Sequence, residues 1–483
     1  MSRALPPSHT AFAVGLLALL TGCAVGPNYR EPKAPVGEGF AGHELVTAVD
    51  TPVQRDWWRL FNDPLLDELV DTALKTNHSL EAANARLKEA RASRREQFFD
   101  YLPRLGATAG YTNVRQSAGS VPPGTPFIRD YELYDAGFDA TWELDLFGRV
   151  RRLNQSARAA AEAAEASRND VRLSVIAEIA RNYFELRGAQ NQLAVAQRNA
   201  ENQTSALQLV NSRLDAGRGT LLDTSRAEAQ VETTLARVPD LEKDVARAMH
   251  RIGVLTGNPP AALVARLSVP APSPKLPESV ALGAPNELLR RRPDIRVAER
   301  QLAAVSARIG VAVADLFPRI TVNGDIGLQA LRFDALDDHG NDRRSFGPSI
   351  TWNFLDIGHI SQQIKAAGAR YEAQLADYQQ TVLLALEDTE NALSDFSRER
   401  RRLEHLDKAA KASVQAADLA TQRFEGGVED FLTALDAYRT ALEAEDLLAE
   451  SQTRAATALV ALYKALGGGW EIESSDERSE SSR

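Results

Sequence analysis

Four short segments of the chain alternate between apolar and polar residues. In the clearest of them, residues 134–145, every second residue from Tyr134 to Leu144 is apolar, and the residues between them are polar or glycine. A strict period of two predicts a β-strand with one apolar and one polar face. By this rule the predicted strands cover about residues 104–116, 133–145, 319–331 and 346–355.

The alternation alone does not decide which face of the strands points inward. A soluble barrel buries its apolar face, whereas an outer-membrane barrel exposes that face to lipid and has a polar lumen. On the second interpretation, Trp142 and Trp352 belong to an aromatic girdle at the membrane interface. The acids expected to face a water-filled lumen are Asp135, Asp139, Glu143 and Asp325.

With four strands per chain, several chains must associate to form a membrane barrel. The smallest known membrane barrels have about eight strands, so four strands per chain cannot close one. Cyclic symmetry is the expected solution, and the strand count allows a dimer, a trimer or a tetramer.

Two long segments are predicted to be helices. They run from about Val150 to Ala216 and from about His359 to Gly426, contain no proline, and at 1.5 Å per residue are each about 100 Å long. Their apolar residues recur at three- and four-residue steps, which is typical of coiled coils. Shorter helices are predicted over about Pro64–Leu102 and Leu221–Thr256. The helices alone would also suit an independent soluble coiled coil.

The second half of the chain repeats the plan of the first. With a shift of about 210 residues, Trp142 falls on Trp352 and Gly217 on Gly427. The predicted organisation is a signal peptide at 1–22, an N-terminal acylated linker at 23–63, a first repeat at 64–257, a proline-rich linker at 258–285, a second repeat at 286–467 and a polar, disordered tail at 468–483.

The N-terminus has the features of a lipoprotein signal peptide. Arg3 precedes a short apolar run, and the residues Leu20 to Cys23 resemble a bacterial lipobox, after which Cys23 would become the acylated first residue. An ordinary signal peptide followed by a chance cysteine is the alternative. No other apolar stretch has the length of a transmembrane helix, so the chain would have to cross a membrane with strands, and this favours the lipid-facing interpretation.

Composition and charge exclude several other functions. The net charge of -10 disfavours nucleic-acid binding, because an acidic chain repels phosphates. The 7 histidines lack zinc-site spacing, and no nucleophile or nucleotide motif stands in a suitable setting. We therefore predict no enzymatic activity, no metal site and no cofactor other than the covalent lipid on Cys23.

Six motifs together point to one family. They are GCAVGPNYREP at 22–32, WELDLFGR at 142–149, LLRRRPDIRVAE at 288–299, FPRI at 317–320, FGPSITWNF at 346–354 and FLTALDAYR at 431–439. In these motifs the chain resembles the TolC family of outer-membrane efflux channels, in its lipoprotein branch of OprM-like and NodT-like members. The resemblance implies an α+β membrane protein that forms a homotrimer, with a twelve-stranded β-barrel in the outer membrane continuing into a long helical barrel in the periplasm.

The resemblance also implies a function. Family members are exit ducts of tripartite efflux pumps, in which a periplasmic adaptor joins the duct to an inner-membrane transporter, commonly of the resistance-nodulation-division type. The expected function is passive conduction of drugs or other small molecules from periplasm to exterior through a closable periplasmic gate. The alternative is an acylated periplasmic coiled-coil scaffold without a pore, which has no use for the alternating strands.

The two predicted helix reversals, or tips, lie at 217–219 and 426–428. Glycine there permits the positive φ that a reversal needs. In the family the tips close the periplasmic mouth and receive the adaptor, and on that resemblance the candidate docking residues are Gly217, Arg218, Gly219, Gly427 and Val428.

The candidate gate follows the second tip. Leu432, Asp436 and Arg439 match the family's constriction residues, and their spacing places them on one helical face. A solvated Asp/Arg pair that contributes only about 0.5 kcal/mol is the alternative interpretation. In the first repeat Arg226 falls on Asp436, so Asp223 or Arg226 is a candidate tie to the gate.

Overall fold

The computed structural model describes a defined part of the chain. The described residues are 24–33, 48–49, 55–117, 119, 122, 124, 126, 128–277, 280–281, 288 and 290–469. The predicted signal peptide, the predicted lipidation site Cys23 and residues 470–483 of the predicted tail lie outside them.

Four antiparallel strands form one sheet in the order β2–β3–β5–β6. The strands are β2 (Arg104–Arg115), β3 (Asp130–Leu144), β5 (Arg319–Ala330) and β6 (Asp342–Thr351). The two central strands come from different repeats and pair with Phe138 opposite Ile326. The remaining strands, β1 (Ala48–Val49) and β4 (Val280–Ala281), form a short parallel pair.

The sheet confirms the four predicted strands but extends two of them. β3 begins at Asp130 and β6 at Asp342, each a few residues before the predicted start. Backbone pairing continues there, for example between Asp130 and Arg115 and between Asp342 and Leu328. The added residues are mostly polar, and alternation therefore gave no signal for them.

Two long helices and several shorter ones make up most of the rest. The long helices contain 67 and 69 residues. In chain order the helices are α1 (Pro64–Thr76), α2 (His78–Phe98), α3 (Arg149–Asp215), α4 (Leu221–Leu235), α5 (Val238–Leu255), α6 (Val264–Leu267), α7 (Pro293–Ala314), α8 (Ile357–Glu425) and α9 (Phe431–Ala465).

The prediction of single helices over 64–102 and 221–256 was wrong. The first is broken at Asn77, whose backbone is extended with φ -69 and ψ 122. The Asn77 side chain accepts a hydrogen bond from the Leu80 N–H at 3.1 Å and donates one to the Leu255 carbonyl at 2.7 Å. It therefore acts as an N-cap for α2 and ties the break to α5. The second is divided just before α5, which has Pro239 in its first turn.

The chain forms two compact units that do not coincide with the two repeats. One consists of the described residues of Met1–Lys33, Arg86–Ala164 and Val297–Tyr378, and it contains the four-stranded sheet. The other consists of those of Ala34–Ala85, Glu165–Arg296 and Gln379–Arg483. Each unit draws on both repeats, because equivalent segments of the repeats pack together within it.

The second unit has an aromatic core. Trp57 is fully buried and stacks on Tyr463 with ring centroids 5.1 Å apart, and Phe61 contacts Phe184 at 4.7 Å. Tyr183 donates its hydroxyl proton to the Asp63 carboxylate. Burial, together with that bond, raises the pKa of Tyr183 to about 12, so the hydroxyl stays protonated at neutral pH.

Candidate functional site

The four-stranded sheet exposes its large apolar side chains. Phe138 is 66% exposed, Ile326 63% and Phe346 83%. Such a band of exposed apolar side chains on one sheet face is unfavourable in water and favourable in contact with lipid or another apolar surface. In one chain the apolar face of the sheet is therefore exposed and available to such a surface.

The acidic residues lie on the opposite face, where glycines make room for them. Asp135, Asp139 and Asp325 are half-buried. A Cβ atom on Gly106 would lie 2.6 Å from Asp139 Oδ1, and one on Gly110 would lie 2.6 Å from Asp135 Oδ1. The glycines of β2 thus accommodate the carboxylates of β3, a pairing that sequence analysis did not recognise although the glycines alternate in step with the acids.

The acids of this face differ in their partners. Asp139 stands directly opposite Asp325 across the β3–β5 pair. Asp325 accepts a hydrogen bond from Ser345 Oγ at 2.8 Å and lies 3.7 Å from Arg343 Nη1. Glu143, predicted to face a lumen, forms a bidentate ion pair with Arg149. Its charge is therefore neutralised locally, at the start of the long helix α3.

The two predicted girdle tryptophans make the same contact in both repeats. Trp142 Nε1 donates to the Tyr101 carbonyl at 3.0 Å, and Trp352 Nε1 donates to the Leu316 carbonyl at 3.1 Å. Each bond satisfies the N–H group of an indole, and the rest of the ring can then contact apolar surroundings. Their place in an aromatic girdle stays a prediction.

The segment that follows Cys23 is fixed beside the start of α3. Arg152 Nε donates to the Val25 carbonyl and Nη2 to the Gly26 carbonyl, both at 3.0 Å. A Cβ atom on Gly148 would lie 2.6 Å from the Ala24 Cα, so only glycine allows this approach. Sequence reasoning did not single out Arg152, which lies three residues beyond the end of the WELDLFGR motif.

A polar cavity of about 320 Å³ lies beside this segment. Two of its charged side chains, Arg300 and Glu162, pair with each other at 3.1 Å, and Arg300 also binds Glu299. Burial, reinforced by a hydrogen bond to Glu299, raises the pKa of Tyr29, which stays protonated. The cavity thus lies where the N-terminal segment packs against α3 and α7. No cluster of His, Cys, Asp and Glu suited to a metal ion occurs in the described part of the chain.

The RRPDI part of the LLRRRPDIRVAE motif places a buried arginine beside two partly exposed carboxylates. Arg292, 9% exposed, forms a bidentate ion pair with Asp294 and a further contact to Asp388 at 3.2 Å. It also donates to the carbonyls of Ala385 and Ala465, at 3.3 and 3.1 Å. Burial favours a lower pKa for Arg292, but the two carboxylates outweigh it and raise the pKa, so the charge is kept.

Both tips have the same backbone geometry. Gly217 has φ 70 and Gly427 has φ 73. After each glycine, the next N–H bonds back to the carbonyl five residues earlier, at 2.8 and 2.9 Å, which is a Schellman motif. Thr220 and Asp430 then cap the returning helices through their side-chain oxygens. The loops are largely exposed, with Val428 72% exposed, so their role in docking a partner stays a prediction.

The candidate gate residues lie on an exposed face of α9. Leu432 is 49% exposed, and Asp436 and Arg439 are exposed as well. Within the described residues neither charged side chain forms an ion pair, so the solvated Asp/Arg pair does not form in one chain. Asp223 accepts a hydrogen bond from Thr220 Oγ1 at 2.6 Å, and Arg226 has no ion-pair partner among the described residues. Among the described residues of one chain, Asp436, Arg439 and Arg226 therefore take part in no ion pair.

None of the helices in the described part of the chain is long and apolar enough to cross a membrane.

Comparison with known proteins identifies close relatives of the sequence. The family model described as "Outer membrane efflux protein" matches residues 69–258 and 284–468, one match in each repeat. Outer membrane protein OprJ of Pseudomonas aeruginosa is 34% identical over 468 residues, which cover 95% of this chain and 96% of OprJ. Nodulation protein T of Rhizobium leguminosarum bv. trifolii is 32% identical over 453 residues, covering 94% and 96%.

Solved structures share the fold over nearly the whole chain. The outer-membrane channel OprN superposes with a TM-score of 0.86 at 41% identity, covering 93% of this chain and 100% of the OprN chain. The open state of the Neisseria gonorrhoeae outer membrane channel MtrE superposes with a TM-score of 0.82 at 30% identity, covering 92% and 98%. The arrangement of a four-stranded sheet and two long helices is therefore that of known outer-membrane channels.

Proposed function

The chain belongs to the outer membrane efflux protein family, and from this premise we propose that it is the exit duct of a tripartite efflux pump. The predicted family, fold class and outer-membrane location with an extension into the periplasm are confirmed, and the family is one of channels, not enzymes. In the proposed function the duct passively conducts drugs or other small molecules from the periplasm to the exterior.

The single observation that carries the proposal is the division of the sheet into an exposed apolar face and a half-buried acidic face. The outer edges of β2 and β6 have no partner strand among the described residues. We propose that β6 of one chain pairs with β2 of the next, so that three chains close a twelve-stranded barrel. Lipid would then cover Phe138 and Ile326, and Asp135 and Asp139 would face the lumen.

The lipid anchor belongs to the same proposal. Ala24 packs against Gly148 between the end of β3 and the start of α3, and Arg152 holds the following residues. A lipid on Cys23 would therefore enter the membrane beside the strand ends. This position suits a lipid anchor that strengthens the attachment of the barrel to the membrane.

The proposed partners are a periplasmic adaptor and an inner-membrane transporter. Relatives support the assignment to a pump: TtgF of Pseudomonas putida, 28% identical, is described as a toluene efflux pump outer membrane protein. We propose that the adaptor docks on the exposed tips, including Gly217 and Val428, and that the transporter is of the resistance-nodulation-division type. Leu432, Asp436 and Arg439 form the proposed closable gate.

Paired substitutions on neighbouring positions of β3 test the proposed wall. Phe138→Lys places a charge on the apolar face, where a cation near the bilayer midplane costs about 2–4 kcal/mol, and we expect little trimer in the outer membrane and no dye efflux. Asp139→Lys changes the polar face and should leave assembly intact. The assay is trimer yield in outer-membrane fractions, with dye efflux from cells that lack or carry the chain. Equal tolerance of both changes would contradict the proposed facing of the strands.

A further inference from the structure

The two tips are joined within one chain by an arginine. Arg213 Nη2 donates to the Phe424 carbonyl at 2.6 Å and to the Glu425 carbonyl at 3.2 Å. Its guanidinium carbon lies 3.9 Å from the centre of the Phe424 ring. Arg213 thus caps the last turn of α8 with a positive charge, at the negative end of the helix dipole, and adds a cation–π contact.

The internal repeat supplies the same parts a second time. Arg423 occupies the position in the second repeat that Arg213 occupies in the first, and Leu214 and Asp215 correspond to Phe424 and Glu425. If the repeats were used alike, Arg423 would cap the end of α3 at Leu214 and Asp215.

Within one chain this second contact is not made. The Arg423 side chain is 61% exposed, and its one ion-pair partner among the described residues is Glu429 of its own tip, at 3.2 Å. Among the described residues, no side chain donates to the carbonyls of Leu214 and Asp215, and the Asp215 carboxylate has no ion-pair partner. In one chain, therefore, Arg213 contacts the end of α8, whereas Arg423 and the end of α3, which could form the equivalent contact, do not bind each other.

We propose that the second tie is completed between chains: Arg423 of one copy caps the end of α3 of the next copy, at Leu214 and Asp215. The inference rests on the proposed ring of three chains. In a closed ring each chain presents its open arginine to one neighbour and its open helix end to the other, as cyclic symmetry requires. The periplasmic mouth then has three ties within chains and three between chains.

The two kinds of tie differ in strength. Leu214 stands where the within-chain contact has Phe424, so the tie between chains lacks the cation–π contact. Arg423 must also leave Glu429, its partner within the chain, or share its charge with it. The mouth should therefore loosen first along the three seams between chains.

Crosslinking tests this tie directly. Arg423→Cys with Asp215→Cys, treated in membranes with a short bismaleimide, should give covalent dimers and trimers on denaturing gels. The bismaleimide is needed because two residues joined by an arginine side chain lie further apart than the Cα separation of about 4.4–6.8 Å that a direct disulfide allows. The matched control is Arg213→Cys with Glu425→Cys, which lies across the contact within one chain. It should lose its free thiols without forming covalent dimers or trimers, and the parent chain, whose single cysteine is Cys23, should form none either.

Charge exchange tests the energetic role. Arg423→Glu should lower the temperature at which the trimer dissociates in mild detergent, and adding Asp215→Arg should restore most of the loss. The inference would be overturned if the native mass were three chains but the Arg423→Cys, Asp215→Cys variant formed no covalent dimers or trimers. It would also be overturned if the thiols of that variant reacted only with an added adaptor. Either result would leave the proposed duct standing. A native mass other than three chains would instead refute the ring itself.

Discussion

Changing both Asp436 and Arg439 to alanine is expected to make cells that carry the chain severalfold more sensitive to a bulky hydrophilic antibiotic that the outer membrane excludes. Both side chains and Leu432 are exposed on one face of α9. Neither Asp436 nor Arg439 has an ion-pair partner among the residues that the structure describes. In the proposed ring three copies of this face meet at the narrowest point. Shortening two side chains in each copy removes six charged groups there and widens the passage.

An exposed acid and base elsewhere on the same helix provide the matched control. Arg454 and Glu450 form an exposed i, i+4 pair on α9, and such pairs contribute about 0–1 kcal/mol to stability. Changing both to alanine should alter neither sensitivity nor the amount of protein in the outer membrane. If the two double variants behave alike at equal protein levels, Asp436 and Arg439 are not the gate, although the channel proposal would stand.

Replacing Arg292 with alanine is expected to destabilise the folded chain by about 1–3 kcal/mol, the cost of leaving buried hydrogen-bonding groups without a partner. The substitution leaves the buried side of Asp294 and the carbonyls of Ala385 and Ala465 without their donor. Arg292→Lys should recover part of the loss, because lysine keeps the charge but lacks the planar fork that binds two carboxylate oxygens. The measurement is the urea concentration at which the helical circular-dichroism signal falls by half.

The neighbouring Arg290 supplies the control, since its side chain is exposed. Arg290→Ala should unfold at the urea concentration of the parent chain, as most surface substitutions change stability by less than about 0.5 kcal/mol. Unfolding of Arg292→Ala at that same concentration would show that the contacts of Arg292 do not contribute to stability.

The sequence predicted the regular elements well because their signals are local. Alternation gave the four strands, and the lack of proline gave the two long helices, whose ends at Asp215 and Glu425 lie within a residue of the predictions. The helix break at Asn77 was missed. Asn77 caps α2 locally through the Leu80 N–H, but its side chain also bonds to the Leu255 carbonyl, 178 residues away, and nothing in the local sequence indicates that second contact.

The candidate site was predicted by position but not by contact. The positive φ of Gly217 and Gly427 follows from the predicted reversals. Arg213, by contrast, bonds to a carbonyl 211 residues away, and a side-chain bond to a distant backbone group leaves no spacing pattern in the sequence. The repeat was the available signal, since it placed Arg213 and Arg423 at equivalent positions. The gate, docking, girdle and lumen assignments stay predictions.

Planar-bilayer recording of the purified chain tests the central claim, that three copies form a closable pore. We expect small, flickering conductance steps from a preparation whose native mass is three chains, because the acidic face of the sheet lines a water-filled passage that the gate nearly closes. Absence of current from a folded trimer would contradict it, and would favour an acylated scaffold that only lines the periplasmic face of the membrane.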